Sequence, residues 1–261
     1  EESEFMKSKR IWITGASSGI GKALAAHLVE AGHQLVISAR NAEALDTLAD
    51  QLATDVSTAA SSKRQITTLP LDISVDFDAT NVKEVLRGSL GAVDICIVCA
   101  GQCEYVDDIS ELDISIFQRV FDVNFFGAVR TVNSVLPLMY SDIPAQKKSH
   151  EAGENNPIIV IVSSLASKLP FPRAEAYGAS KAALGYFAES LRLDLIDAGV
   201  DVLLVDPGFV KTPMTDKNNF KMPFLIDTEV ASRRILRAIN RRAIYTAFPR
   251  RLAWVLRVFS C

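Results

Sequence analysis

The chain has 261 residues, 49% of them hydrophobic, with Lys+Arg 28 against Asp+Glu 31 and a net charge of −3. That size and apolar content suit one large α/β core, and the near balance of charge argues against nucleic acid as a partner. No stretch reads as a secretory leader or as a membrane-crossing apolar span, so the expectation is a soluble, cytoplasmic protein.

Glu1-Glu2-Ser3-Glu4-Phe5, ahead of Met6, reads as a cloning remnant, leaving 6–261 as a single domain. Ile11-Trp12-Ile13-Thr14 is a short β-branched run that predicts a strand, and Ile20 to Ala31 carries a helical pattern closed by Gly32. Between them lies Thr14-Gly15-Ala16-Ser17-Ser18-Gly19-Ile20-Gly21. Glycines there let the chain turn sharply and bring a pyrophosphate close to main-chain N–H groups at the positive end of a helix. The spacing G-x-x-x-G-x-G differs from the usual dinucleotide fingerprint, and its place in the first strand-to-helix turn gives it weight.

Gln34 to Ser38 predicts the second strand and Ala42 to Leu52 the second helix. An NAD site of this architecture calls for an acid at the end of the second strand. Ser38-Ala39-Arg40 has none; Arg40 offers a forked contact to a 2′-phosphate and Ser38 a further hydrogen bond, which favours NADP(H), the alternative being a solvated arginine. A third strand over Ile66–Leu71 leads to Asp72 and Ile73, where Asp72 either accepts from an adenine amino group or caps the following helix, which runs through Val82, Val85 and Leu86.

Val93 to Cys99 is too continuously apolar for a one-faced sheet and predicts a strand covered on both sides, ending at Ala100-Gly101. Cys96 and Cys99 form a C-x-x-C with no second pair or histidine cluster to complete a metal site, so no metal is expected and core thiols are the reading. A long helix is predicted from Ser115 to Leu136, an exposed loop over 141–156, and a buried strand over Pro157–Val162 that delivers Ser163-Ser164. Tyr177 opens a helix reaching Ala198, with Lys181 one turn on, so an ammonium near the phenol is expected to ease its ionisation. Asp201–Val205 is a strand ending at Pro207-Gly208, Glu229–Arg242 a helix, and Ala243–Phe248 a last strand.

Strand and helix alternate with short connections, the pattern of a Rossmann-type, doubly wound parallel sheet of about seven strands with helices on both faces. Such sheets bind ligands at the carboxyl ends of their strands, so Gly15, Ala100-Gly101, Ser163-Ser164 and Pro207-Gly208 are expected to converge on one crevice.

Together the glycine turn, Ala100-Gly101, Asn124, Ser164 and Tyr177-Gly178-Ala179-Ser180-Lys181 closely resemble the short-chain dehydrogenase/reductase family, in its compact single-domain branch, from Lys9 to about Thr215. The resemblance implies hydride transfer between a nicotinamide and a carbonyl or secondary alcohol, with Tyr177 as general acid/base. It picks Ser164 over Ser163 to hydrogen-bond the substrate oxygen, and gives Lys181 the nicotinamide ribose as well as its charge. Asn124 would hold a water in line with the lysine; the alternative is a satisfied core amide. Pro207, Gly208, Val210 and Thr212 match the segment that holds the nicotinamide carboxamide. One departure is Cys99, where the family usually carries a structural asparagine.

The resemblance also implies a homodimer or homotetramer and a substrate lid over 212–227. Met214, Phe220, Met222, Phe224, Leu225 and Ile226 make that segment apolar enough to wall a hydrophobic substrate, or to pack on the protein or a second subunit. The basic, aromatic tail 249–261 suits a peripheral membrane contact, a subunit contact or a packed helix. A lipid-pathway 3-ketoacyl or 3-ketosphingoid reductase is the narrower reading, and a non-catalytic NADP-sensing protein the competing class.

Overall fold

A computed structural model describes residues 8–54, 66–110, 112–140 and 156–249. Seven strands form one parallel sheet: β1 (Arg10–Thr14), β2 (Gln34–Ala39), β3 (Ile66–Pro70), β4 (Ile95–Val98), β5 (Ile158–Val162), β6 (Asp201–Pro207) and β7 (Tyr245–Phe248). Their order is β3-β2-β1-β4-β5-β6-β7. The chain order reverses direction between β1 and β4, the point at which such sheets open a ligand crevice.

Every strand in the middle of the sheet feeds two cores by simple alternation. Ile11, Ile13, Val160, Val162, Leu203 and Val205 join one core with α1 (Gly19–Glu30), α2 (Ala42–Thr54) and α7 (Thr228–Asn240). Trp12, Val36, Ile159, Ile161 and Leu204 join the other, under α3 (Ala79–Leu90), α5 (Gly127–Tyr140) and α6 (Glu175–Leu195). Covering on both faces is why these strands read as unbroken apolar runs. No helix among the described residues is long and apolar enough to cross a membrane.

Several boundaries differ from the sequence reading. β4 begins at Ile95, because Asp94 turns its carboxylate onto the main-chain N–H and guanidinium of Arg10, at 2.8 and 2.7 Å. Asp72 does not cap α3. It accepts from the amide and hydroxyl of Ser74 at 2.9 and 2.6 Å, and the cap is Asp78, which takes the amides of Thr80 and Asn81. The single helix expected over Ser115–Leu136 is α4 (Ile114–Phe121), a π-helical segment (Asp122–Phe126) and α5, which continues past Pro137 to Tyr140. The loop reading of 141–156, apart from Asn156, and the tail from 250 onward lie outside the described residues.

Backbone contact without side chains fixes how β1, α1 and β4 meet. A Cβ on Gly21 would stand 2.2 Å from the Gly15 carbonyl oxygen, and one on Gly15, whose φ is +70°, would stand 2.6 Å from Ala100 Cα. Gly88, in α3, has nothing within 4 Å of its notional Cβ. Gly21→Ala should therefore cost about 2 kcal/mol or more, a fall in Tm of about 4–8 °C, whereas Gly88→Ala should raise stability by about 0.5–1 kcal/mol. Thermal unfolding of the two variants side by side checks this; equal midpoints would refute the packing argument.

Candidate functional site

A cleft of about 750 Å³ runs across the carboxyl ends of the strands and is bordered by residues of all the predicted groups. At its first wall Gly15, Gly19 and Gly21 turn the chain from β1 into α1. Ser18, the N-cap of α1, makes no side-chain capping bond, which leaves first-turn N–H groups for an anion. Ser17 and Ile20 border the same cleft. Gly19 lies against Thr212, whose methyl would be 3.1 Å from a Cβ there, so the glycine turn and the base of the lid meet over the middle of the cleft.

Ser38, Arg40, Asp72 and Ile73, expected at the adenosine end, all border the cleft. Arg40 is exposed at the cleft, and Asp72 and Ile73 lie beside it. Burial pushes Asp72 up, but the Ser74 hydrogen bonds and the charge of Arg40 outweigh it and hold the carboxyl below its ordinary value. Ser38 has a second partner within the sheet. Its hydroxyl accepts from the Trp12 indole at 2.9 Å and is 1% exposed, and the residue borders the cleft beside Arg40 with its O–H left to donate. Lys22 and Asn41 line a second hollow with Ser17, next to this end. Neither stands out in the sequence, and Asn41 has a local duty, accepting from the amide of Ala44 at 3.0 Å.

Past β4 the chain enters the site at Ala100-Gly101. In place of the family's asparagine, Cys99 donates its main-chain N–H to Thr14 Oγ1 at 3.3 Å, and its sulfur lies against the Gly21 amide. Asn124 sits inside the π segment, 1% exposed. Both amide hydrogens and one of the two acceptor sites of Oδ1 are taken: Oδ1 accepts from the Gln102 N–H at 2.8 Å, and Nδ2 donates to the Gln102 carbonyl and to Ser180 Oγ, both at 2.9 Å. This ties three segments together, as a satisfied buried amide would. Gly101 completes the local geometry, since Asn124 Oδ1 and Lys181 Nζ each lie 3.4 Å from where its Cβ would be.

The two serines after β5 divide by partner. Ser163 Oγ donates to the Lys181 carbonyl at 2.9 Å and is buried. Ser164 caps a short 3₁₀ turn, accepting from the Ala166 amide at 3.1 Å, and hydrogen-bonds toward Tyr177. Tyr177 and Lys181 project from the first turns of α6, with the ammonium 5.9 Å from the phenol ring centroid. Lys181 is 4% exposed and donates to the Val162 carbonyl at 3.0 Å.

Burial dominates the proton affinity of both groups. Burial pushes the Tyr177 phenol up, the Ser164 hydrogen bond works against it, and Cys103, Tyr105 and Asp206 add to the rise. Burial also moves Lys181 down, to about 8, against the raising influence of Cys99, Asp206 and Cys103.

Beyond Pro207-Gly208 the lid is anchored at both ends: the Lys211 amide donates to the Ile226 carbonyl at 2.9 Å, and the Ile226 amide to that of Phe209 at 3.1 Å. Val210 is buried at this anchor. Thr215 Oγ1 closes a turn onto Thr212 and Val210. Phe220 lies edge-on to Tyr105 and Phe209, at 6.2 and 6.0 Å between ring centres, and Tyr105 donates to Asn218 at 2.7 Å. The lid thus packs partly on its own protein, while Phe224 and Leu225 remain exposed.

Tyr105 and Asp206 escape the sequence reading. Tyr105 stands in a loop without periodicity, and only its position after Gly101 hints at the site. Asp206 is legible as a carboxylate closing the apolar run Val202–Val205.

Comparison with known proteins adds the lineage. The short chain dehydrogenase family profile matches residues 9–222. An "uncharacterized oxidoreductase" of Myxococcus xanthus is 34% identical over 250 residues, covering 95% of this chain and 90% of that one. Rat "dehydrogenase/reductase SDR family member 7B" is 29% identical over 81% of this chain, which spans 61% of the rat protein. A short-chain dehydrogenase of Sphingobium yanoikuyae, solved in complex with NADPH, superposes with a TM-score of 0.76 at 25% identity, covering 92% of this chain and 87% of that one. A short-chain dehydrogenase structure from Streptomyces avermitilis reaches 0.78 at 24% identity, over 97% of this chain and 93% of its own, a likeness of fold. The chain therefore belongs to the short-chain dehydrogenase/reductase family and is an NAD(P)-dependent oxidoreductase.

Proposed function

We propose that the protein is an NADP(H)-dependent oxidoreductase that interconverts a carbonyl and a secondary alcohol on a hydrophobic substrate, with Tyr177 as the general acid/base. The observation that carries this reading is the gathering of Ser164, Tyr177 and Lys181 on one wall of a cleft whose opposite wall is the glycine turn. Residues present fit a dinucleotide. The cradle at Gly15, Gly19 and Gly21 admits no side chain of its own, and uncapped amides of α1 suit a pyrophosphate. Gly101, Pro207, Gly208, Val210 and Thr212 would hold the nicotinamide half, with Lys181 at its ribose. When bound, the nicotinamide supplies or accepts the hydride.

Burial keeps the Tyr177 phenol protonated, which suits it to give its proton to an oxygen that is gaining negative charge. Ser164 would donate to that same oxygen, and a donor fixed in a dry site is worth more than one in water. Lys181, at about 8, stays largely charged at neutral pH and favours the tyrosinate that donation leaves behind. Asn124 is assigned the water-holding role: its Oδ1 and the Lys181 ammonium border the same gap beside Gly101. In the oxidative direction Tyr177 takes the proton back.

Substrate class follows from the lid side. Phe171, Phe209, Phe220 and Tyr105 form a chain of ring contacts beside the lid, and Met214 borders the cleft. A 3-ketoacyl or 3-ketosphingoid chain is the narrower reading that such a wall favours. A panel of carbonyl compounds of increasing apolar length, followed by NADPH absorbance, ranks the candidates; a preference for small polar carbonyls would reject the hydrophobic class.

Two variants test the chemistry. Tyr177→Phe should lower kcat by about 10²–10⁴-fold while NADPH binding, read by fluorescence, stays within about threefold; a variant retaining most of its rate overturns the acid/base role. Arg40→Ala should raise the KM for NADPH by about 10-fold or more, the worth of one charged hydrogen bond to a phosphate, and leave that for NADH in place. An unchanged NADPH preference would reject Arg40 as the 2′-phosphate ligand.

A further inference from the structure

Strand alternation sends Leu203 and Val205 of β6 to the core under α1 and α7, and Val202 and Leu204 to the core under α6. Asp206 is the next residue on the α6 face. An apolar side chain is what that position calls for, yet it holds a carboxyl group with none of its surface exposed. Its Oδ2 accepts from the Tyr245 hydroxyl at 3.1 Å and lies 3.9 Å from Lys168 Nζ. Its Oδ1 is buried with no hydrogen-bond partner among the described residues. A half-satisfied buried carboxyl destabilises a fold unless a charge nearby needs it.

Lys181 is such a charge. It enters the same face from α6, and its ammonium bonds the carbonyl of Val162, which pairs across the sheet with Val205, the residue before Asp206. Two enclosed groups of opposite sign therefore stand at the carboxyl ends of adjacent strands.

We propose that Asp206 is a positioning residue for the reaction, its carboxylate acting as the buried counter-charge of Lys181. The proposal rests on the acid/base reading of Tyr177 and Lys181 given above.

The neighbours of each group support it. Lys181 feels Cys99 and Cys103 from β4 and the loop after it, Asp206 from β6, and Tyr177 one turn away on its own helix. Burial raises both thiols, Cys99 to about 11, so they are neutral at working pH, which leaves Asp206, with Lys168 Nζ 3.9 Å away, as the carboxyl group of this set. Asp206 in turn faces Lys168, Tyr245, Lys181, Tyr177 and the main chain of Ser164. Burial raises Asp206 itself; the charge of Lys168, the Tyr245 hydrogen bond and the charge of Lys181 oppose that rise. The carboxylate raises Lys181 and Tyr177 alike. Its removal should let both groups give up their protons at lower pH.

Competitive acetylation of lysines with acetic anhydride across the alkaline range, followed by mass spectrometry on the peptide carrying Lys181, reads the lysine without turnover. In Asp206→Asn the midpoint for Lys181 should fall by about half a pH unit or more, and in Asp206→Glu it should stay near that of the parent protein. The alkaline limb of kcat/KM for NADPH-dependent carbonyl reduction should move down with it. A purely structural role moves neither, and an unmoved Lys181 midpoint in folded Asp206→Asn overturns the proposal. Should that variant fail to fold, Asp206→Leu places there the apolar residue that the strand pattern calls for and removes the same charge; the Lys181 midpoint is again expected to fall, and no change overturns the proposal. A midpoint that shifts in a protein reducing no carbonyl would uphold the counter-charge and reject the reaction, so the two ideas fail separately.

Discussion

Three stretches of main chain meet at the head of the cleft with no side chain between them, and the architecture is organised around that contact. Gly21 lies on the Gly15 carbonyl and Gly15 on Ala100, closer than any Cβ permits. This sets the angle at which α1 leaves β1 and the distance at which β4 passes. It also determines where first-turn amides of α1 point relative to the ends of β4, β5 and β6, which carry the other half of the site. Gly127 repeats the arrangement on the far side, where its missing Cβ would stand 2.8 Å from the Ile73 carbonyl oxygen. The cleft is shaped by absent methyl groups as much as by the residues that line it.

The reactive wall follows a different logic, the burial of charge. Lys181 comes out of water onto a main-chain carbonyl, Asp206 out of water beside the Tyr245 phenol and the Lys168 ammonium, and Tyr177 is buried one turn from Lys181. Each pays a desolvation cost that packing alone would avoid. The return is an environment in which small changes in nearby charge alter proton affinity strongly, because little solvent screens them. A tyrosine held neutral in that setting donates readily only when negative charge develops on an oxygen beside it, which confines proton transfer to the moment of reaction.

Much of this was legible before any coordinates. Unbroken apolar runs such as Ile158–Val162 identified strands buried on both faces, and the glycines between β1 and α1 marked the ligand end of the sheet. Other features depend on partners distant in sequence. Asp94 shortens β4 because Arg10, 84 residues away, takes its carboxylate. Ser38 serves Trp12 on the neighbouring strand, an alliance invisible in the local motif. Of the two roles open to Asp72, the helix cap falls to Asp78 at the start of α3, because Asp72 is taken by Ser74 two residues on. Spacing reveals that a lysine is near Tyr177, while the depth of burial that dominates the proton affinity of the phenol depends on the whole fold.

The π-helical turn around Asn124 has a consequence for how this helix tolerates change. A widened turn accommodates an additional residue, so the faces of α4 and α5 are out of phase with a continuous α-helix drawn through both. Val132, Val135 and Leu138 address the core under α5, while Asn124 addresses Gln102 and Ser180, from one chain of residues with two independent rotational settings. Straightening Asp122–Phe126 into ordinary α-helix with every residue kept would turn one of those faces away by about 100°. The segment works as a phase adjuster, allowing the core half of the helix to vary in sequence without re-aiming the amide at the site.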